Sequence, residues 1–192
     1  DVLTLVKDFR KEDQNTPVVL MGYLNPIECM GYQRFAEDAE EAGVDGVLVV
    51  DMPPEESQEL LQVIHRSKLD CIFLVAPTTN ESRAKQICEL SSGYVYYVSL
   101  KGVTGASHLD IDSVRINANR LKSYCELPIG IGFGIKDAET ATKLGELADA
   151  IVVGSALVNL IAELEDKHEY SREELFEHIS LMADMRTALD DN

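Results

Sequence analysis

Short apolar runs recur along the chain at Pro17–Met21, Gly46–Val50, Cys71–Val75, Tyr94–Val98, Leu127–Ile131 and Ala148–Val153. They are continuous and do not alternate apolar with polar residues, so they predict six strands buried on both faces. Amphipathic stretches lie between them: Tyr32–Ala42, Glu56–Ser67, Glu81–Ser91, Ser113–Ser123 and Ala138–Leu144. Each has the spacing of a helix that covers a sheet with one face. Strand starts 21 to 33 residues apart leave room for one helix and its turns, the rhythm of parallel βαβ units. Gly43, Gly93 and Gly145 suit chain reversals at helix exits, and the Asn80/Glu81 and Lys136-Asp137 turns suit helix starts. After the last run, Ser155–Leu164 predicts a short helix and the charged Glu163–Glu169 a surface loop. Ser171-Arg-Glu-Glu174 then offers a capping box for a final helix reaching about Leu189. At the other end, Val2, Leu3, Leu5, Val6 and Phe9 already have helical spacing, as if an element were under way at Asp1.

Parallel units build either an open doubly wound sheet or a closed barrel. The first strand is not followed by G-x-G-x-x-G, and no Walker A sequence occurs, which removes the strongest signals for a nucleotide-binding open sheet. A barrel is favoured. A complete one has eight strands in about 250 residues, so 192 residues with six strands read as one partial domain spanning residues 1–192.

Composition narrows the classes. Apolar residues make up 45% and charged residues 27%, the balance of a packed globular chain. The formal charge of -17 disfavours a nucleic-acid or anionic-membrane surface and otherwise fits a soluble acidic exterior. Cys29, Cys71, Cys88 and Cys125 form no CxxC pair, and His65, His108, His168 and His178 do not cluster, so neither a disulfide framework nor a metal site is expected. With no signal peptide or long apolar span, the expected location is the cytoplasm.

Candidate chemistry lies at the strand exits. Gly102-Val-Thr-Gly105, Gly132-Phe-Gly134 and Gly154-Ser155 follow the last three predicted strands, and all lie at one end of a parallel sheet. Backbone N–H groups of such turns and of a short helix start suit a phosphate; tight turns alone are the alternative. Phe133 between glycines, with Tyr23 and Tyr96 at other strand ends, suits an aromatic ligand wall or ordinary packing.

Met21-Gly-Tyr-Leu-Asn-Pro26, Asp51-Met-Pro-Pro-Glu-Glu-Ser57, Phe73-Leu-Val-Ala-Pro77, Tyr94-Val-Tyr-Tyr-Val-Ser99, Gly102-Val-Thr-Gly105, Gly132-Phe-Gly134 and Gly154-Ser155, in this order, resemble the tryptophan synthase alpha chain family. The resemblance implies a TIM (β/α)₈ barrel of which this chain holds strands three to eight, without the N-terminal portion carrying the first two. It implies reversible carbon–carbon cleavage of indole-3-glycerol phosphate to indole and glyceraldehyde 3-phosphate in tryptophan biosynthesis. The substrate-binding residues it implies are Tyr23, Tyr96, Leu100, Thr104, Gly105, Phe133, Gly134, Gly154 and Ser155. Gly105, Gly134, Gly154 and Ser155 would grip the phosphate, Leu100 and Phe133 enclose the substrate, and Thr104 hold an upstream acid during loop closure.

The family's catalytic Glu and assisting Asp have no counterpart here, so no catalytic residue is assigned and the segment alone is expected to be inactive. Asp51 is read as structural or interfacial and Lys101 as a surface lysine. Leu100 stands where many relatives carry Arg. The implied assembly is α₂β₂, with pyridoxal phosphate in the beta-chain partner and no cofactor in this chain. The Tyr23–Cys29 and Asp51–Glu56 loops would face or support that partner. A stand-alone indole-releasing lyase and a catalytically silent phosphate- or partner-binding fragment are the alternatives.

Overall fold

The computed structural model describes residues 1–99, 110–132, 134–165 and 170–191. Helix α1 (Val2–Phe9) starts at Asp1, whose carboxylate accepts the Leu3 N–H at 2.8 Å. There follow β1 (Val19–Gly22), α2 (Leu24–Met30), α3 (Tyr32–Ala42), β2 (Gly46–Val49), a 3₁₀ turn (Pro54–Glu56), α4 (Gln58–Ile64), β3 (Asp70–Ile72), β4 (Leu74–Val75) and α5 (Glu81–Leu90). The second half comprises β5 (Val95–Val98), α6 (Ile111–Lys122), β6 (Ile129–Gly132), α7 (Ala138–Gly145), β7 (Ala150–Val152), α8 (Ser155–Glu165), α9 (Arg172–His178) and α10 (Leu181–Asp190). The strands form a three-stranded sheet, β1-β2-β3, and a four-stranded sheet, β4-β5-β6-β7. The β1–β2, β2–β3 and β6–β7 pairs are parallel.

The expectation of six strands, numbered three to eight of a barrel, is corrected by the seven strands described. The apolar run Cys71–Val75 divides at Phe73: Asp70–Ile72 pairs with β2, whereas Leu74–Val75 belongs to the other sheet. Phe73 is apolar and buried, as are Ile72 before it and Val75 after it, so hydropathy does not mark the point where the ladder changes partner. Two further expectations change. The Tyr23–Cys29 segment, read as a loop, instead enters α2 at Leu24; Pro26 is in its first turn, where a backbone N–H has no intrahelical acceptor to lose. The single final helix is broken at Ile179–Ser180 into α9 and α10.

The chain divides into two compact units. The first holds Asp1–Val75, Asn80–Val95 and Cys125–Leu127. Its strand β2 is buried along its whole length, with Phe35, Ala36 and Ala39 of α3 and Leu60 and Ile64 of α4 also in the core. Arg10 ties the end of α1 to this unit. Its guanidinium donates to the carbonyls of Gly43 and Thr16, each at 2.8 Å, and to the Asp45 carboxylate at 2.6 Å. Asp45 also accepts the Val18 N–H at 2.6 Å, so one ion pair links the entries to β1 and β2.

The second unit holds Ala76–Thr79, Tyr96–Tyr124 and Pro128–Asn192. Strand β6 is buried throughout, and Val114, Ala118 and Leu121 of α6 and Ala141 and Leu144 of α7 are core residues. Helix α10 packs on α7, where Leu189 occupies the space beside Gly145 that a Cβ would need, 2.3 Å from its Cδ2. Helix starts obey their sequence signals. Asn80, Asp110 and Asp137 accept N–H groups from Arg83, Ser113 and Thr140, and Ser171 with Glu174 forms the expected capping box.

Candidate functional site

Among the described residues every predicted site residue but Tyr96, which lies within β5, follows a strand, where a parallel sheet leaves backbone groups beyond the ladder. In the first unit Tyr23 follows β1, stands at the start of α2 and is 66% exposed. Its surroundings are held by two bonds between the ends of β1 and β2. The Val50 N–H donates to the Gly22 carbonyl at 2.9 Å, and the Leu24 N–H to the Asp51 carboxylate at 2.8 Å. Asp51 thus satisfies the start of α2, which accounts for an acid at this position without proton transfer. Beyond it Ser57, fully buried, donates its hydroxyl to the Pro54 carbonyl at 2.7 Å and closes the Asp51–Ser57 turn.

The second unit holds Tyr96 within β5, and Gly134, Gly154 and Ser155 beyond the ends of β6 and β7. Strand alternation separates Tyr96 from Tyr97. Tyr97 is buried and bonded to Asn117 of α6; burial pushes its phenol up, partly offset by that bond. Tyr96, 4% exposed, lies instead over Gly132. A Cβ at Gly132 would stand 1.8 Å from the Tyr96 hydroxyl oxygen and 2.3 Å from Cζ, so only glycine admits the ring. Gly134 has φ 78°, a conformation that side chains disfavour.

At the β7 exit, the Gly154 carbonyl accepts the Leu157 N–H at 3.0 Å and α8 begins at Ser155. The first N–H groups of a helix have no intrahelical acceptor, and the positive end of the helix dipole lies there. Among the described residues nothing approaches within 4 Å of a Cβ built on Gly154. The arrangement can receive an anion through backbone donors. Leu100, Lys101, Thr104, Gly105 and Phe133 lie outside the described residues.

Ser99, noted only as part of a motif, is the residue the sequence reading passed over. It is 8% exposed, and both its N–H, at 3.0 Å, and its hydroxyl, at 2.7 Å, donate to the Gly132 carbonyl. A hydroxyl directly after a buried apolar strand was the available signal. The cysteines do not supply a ready nucleophile at Cys71 or Cys88: burial pushes each thiol up to about 12, with Asp70 adding to the effect at Cys71 and a bond to Cys125 at Cys88. Among the described residues no group of three or more His, Cys, Asp or Glu side chains is placed to hold a metal ion. No described helix is long and apolar enough to cross a membrane.

A family model described as tryptophan synthase alpha chain matches residues 1–187. The chain is 56% identical over 188 residues to the tryptophan synthase alpha chain of Methylococcus capsulatus, across 98% of this chain and 69% of that relative. Its structure is similar to tryptophan synthase subunit alpha from Legionella pneumophila str. Paris, with TM-score 0.87, 40% identity and coverage of 100% of this chain and 69% of the other. A chain from the structural study of mutual activation of the tryptophan synthase α₂β₂ complex of Pyrococcus furiosus matches with TM-score 0.81 and 36% identity, over 94% of this chain and 72% of that one. The fold is of the TIM (β/α) barrel class. The likeness runs from residue 1 and includes seven strands. The expectation of a segment set apart by a lost N-terminal portion, confined to strands three to eight, is corrected to a match along the chain.

Proposed function

Because the chain belongs to the tryptophan synthase alpha chain family, we propose that its strand-exit cluster binds the phosphate of indole-3-glycerol phosphate. The protein is a lyase, the alpha subunit of tryptophan synthase in tryptophan biosynthesis. The observation that carries the substrate reading is the gathering in one unit of Gly134 at positive φ, Gly154 with no described atom against it, and the Ser155 start of α8.

In this reading Gly105, Gly134, Gly154 and Ser155 hold the phosphate by backbone N–H groups and the Ser155 hydroxyl. No cationic side chain is required, because a helix start already favours an anion. The glycerol phosphate end is thereby anchored, so its binding energy orients the bond to be cleaved. Tyr96, Phe133 and Leu100 enclose the apolar indole portion, Tyr23 lines the mouth, and Thr104 steadies the loop that excludes water. Cleavage requires protonation of the indole ring carbon and proton removal elsewhere in the substrate. Asp51 is not assigned to either transfer, since its carboxylate serves the start of α2.

The expected partner is a tryptophan synthase beta chain in an α₂β₂ assembly, the assembly named for the Pyrococcus furiosus relative. Pyridoxal phosphate would belong to that partner, supplying the joining of indole to serine. The Tyr23–Cys29 segment, with Tyr23 exposed, and the Asp51–Glu56 turn form the surface assigned to it.

Indole release from indole-3-glycerol phosphate, measured with and without purified beta chain, tests the reading. Substrate-dependent indole formation that the beta chain accelerates is expected. Cleavage unchanged by the beta chain would instead favour a stand-alone lyase, and failure to bind indole-3-glycerol phosphate in calorimetry under either condition would sink the substrate assignment.

A further inference from the structure

Gly132 is compelled to be glycine by the Tyr96 ring, which has a structural consequence. Glycine is the backbone's most permissive residue, and this one ends β6, two residues before Gly134. An anion held by backbone N–H groups needs the strand end that leads to them fixed before the ligand arrives, since ordering it on binding would weaken affinity.

Ser99 meets this need. Any residue at position 99 except proline supplies the N–H that reaches the Gly132 carbonyl at 3.0 Å. Only a hydroxyl-bearing side chain adds the second donor, at 2.7 Å, to the same oxygen. A carbonyl oxygen has two lone pairs, and two donors from one buried residue restrict how its peptide can turn. Ser99 lies at the exit of β5 and Gly132 at the end of β6, both within the second unit, so the bond is internal to that unit.

We propose that Ser99 is a positioning residue of the phosphate site, fixing the end of β6 at Gly132 through its carbonyl. The proposal rests on the phosphate reading above. Ser99 does not touch substrate in it and acts only through the geometry of the β6 exit.

The full chain is tested as wild type and as Ser99→Ala, Ser99→Cys and Ser99→Thr. Affinity for inorganic phosphate is measured by calorimetry, kcat and KM for indole-3-glycerol phosphate with the beta chain present, and thermal unfolding for each variant. Ser99→Ala and Ser99→Cys, which lack a strong donor, are expected to weaken phosphate binding about tenfold and to raise KM more than they lower kcat. Ser99→Thr, which keeps the hydroxyl, should bind within about threefold of wild type. A lower Tm with unchanged phosphate affinity and KM would overturn the proposal, because Ser99 would then be structural only. Equal weakening in the threonine and alanine variants would overturn it as well. Absence of phosphate binding by the wild type would strike the underlying phosphate reading, which separates that failure from failure of the Ser99 role.

Discussion

The Tyr96 ring and the bare Cα of Gly132 form a pair in which neither can change alone. Gly132→Ala would place Cβ 1.8 Å from the tyrosine oxygen, a contact requiring the ring or strand to move. A loss of about 1–3 kcal/mol in denaturant unfolding is expected. Tyr96→Phe should give little relief because Cζ itself stands 2.3 Å away, whereas Tyr96→Val removes the whole ring and should recover part of the loss. A double-mutant cycle checks the difference; equal rescue by both would contradict this contact. Asp13 supplies a second prediction. Its carboxylate accepts the Thr16 hydroxyl at 2.6 Å and the N–H groups of Thr16 and Asn15 at 2.8 Å, which hold its pKa down at about 2 from an ordinary 3.8. The ionised form is favoured in the folded state, so its contribution is complete above the unfolded value and disappears as pH falls through about 2. Thr16→Val should move the Asp13 pKa upward in a carboxyl NMR titration, and no movement would refute the hydroxyl's part.

Helix starts carry much of the element-scale specification. Asp137 accepts the Thr140 N–H at 2.8 Å, and its bonds to the Thr140 backbone and side chain lower its pKa. Asp137→Ala should destabilise the protein by about 1 kcal/mol, the usual effect of losing an N-cap. Asp137→Asn retains an acceptor and should lose less, while abolishing the acid-side decline that Asp137 contributes as pH falls through its lowered folded pKa. Urea unfolding at neutral and acidic pH distinguishes these effects. At the first helix, Arg10 has only 12% of its side chain exposed and donates to the backbone carbonyls of Gly43, Asp13 and Thr16 and to Asp45. Arg10→Met, similar in length but without donors, should lower stability by about 2–3 kcal/mol, visible as a lower urea midpoint with unchanged slope. The end of the chain shows a limit of such signals. Ser171 and Glu174 mark the start of α9, but its break from α10 at Ile179–Ser180 accompanies the packing of α10 on α7 rather than a Gly or Pro.

At the scale of the whole molecule, the net charge of -17 has two opposing consequences for an anionic ligand. Self-repulsion makes any added salt stabilising through screening, while a phosphate grip demands a favourable local field within an acidic protein. Inorganic phosphate should therefore raise Tm beyond sodium chloride at matched ionic strength. An excess equivalent to about 1.4 kcal/mol is expected at roughly ten times the dissociation constant. Equal shifts in the two salts would leave only screening and would remove the site.

The six apolar runs and intervening amphipathic stretches determined the parallel α/β class, because burial on both faces removes strand alternation and leaves helices a single apolar side. The ordered strand-exit motifs also made the family legible, and Asn80, Asp137 and Ser171 marked helix starts through local side-chain bonds. The division at Phe73, the helix begun at Leu24 and the break after α9 were not legible in that pattern. Nor was the role of Ser99, whose acceptor lies 33 residues onward on another strand. Hydropathy and caps describe what a residue offers its near neighbours, whereas ladder partner, ring placement over Gly132 and the second donor on its carbonyl depend on which distant backbone the fold brings within 3 Å. That proximity was decided only by the tertiary structure, because hydrogen bonds and close packing act across space without leaving a period in the sequence.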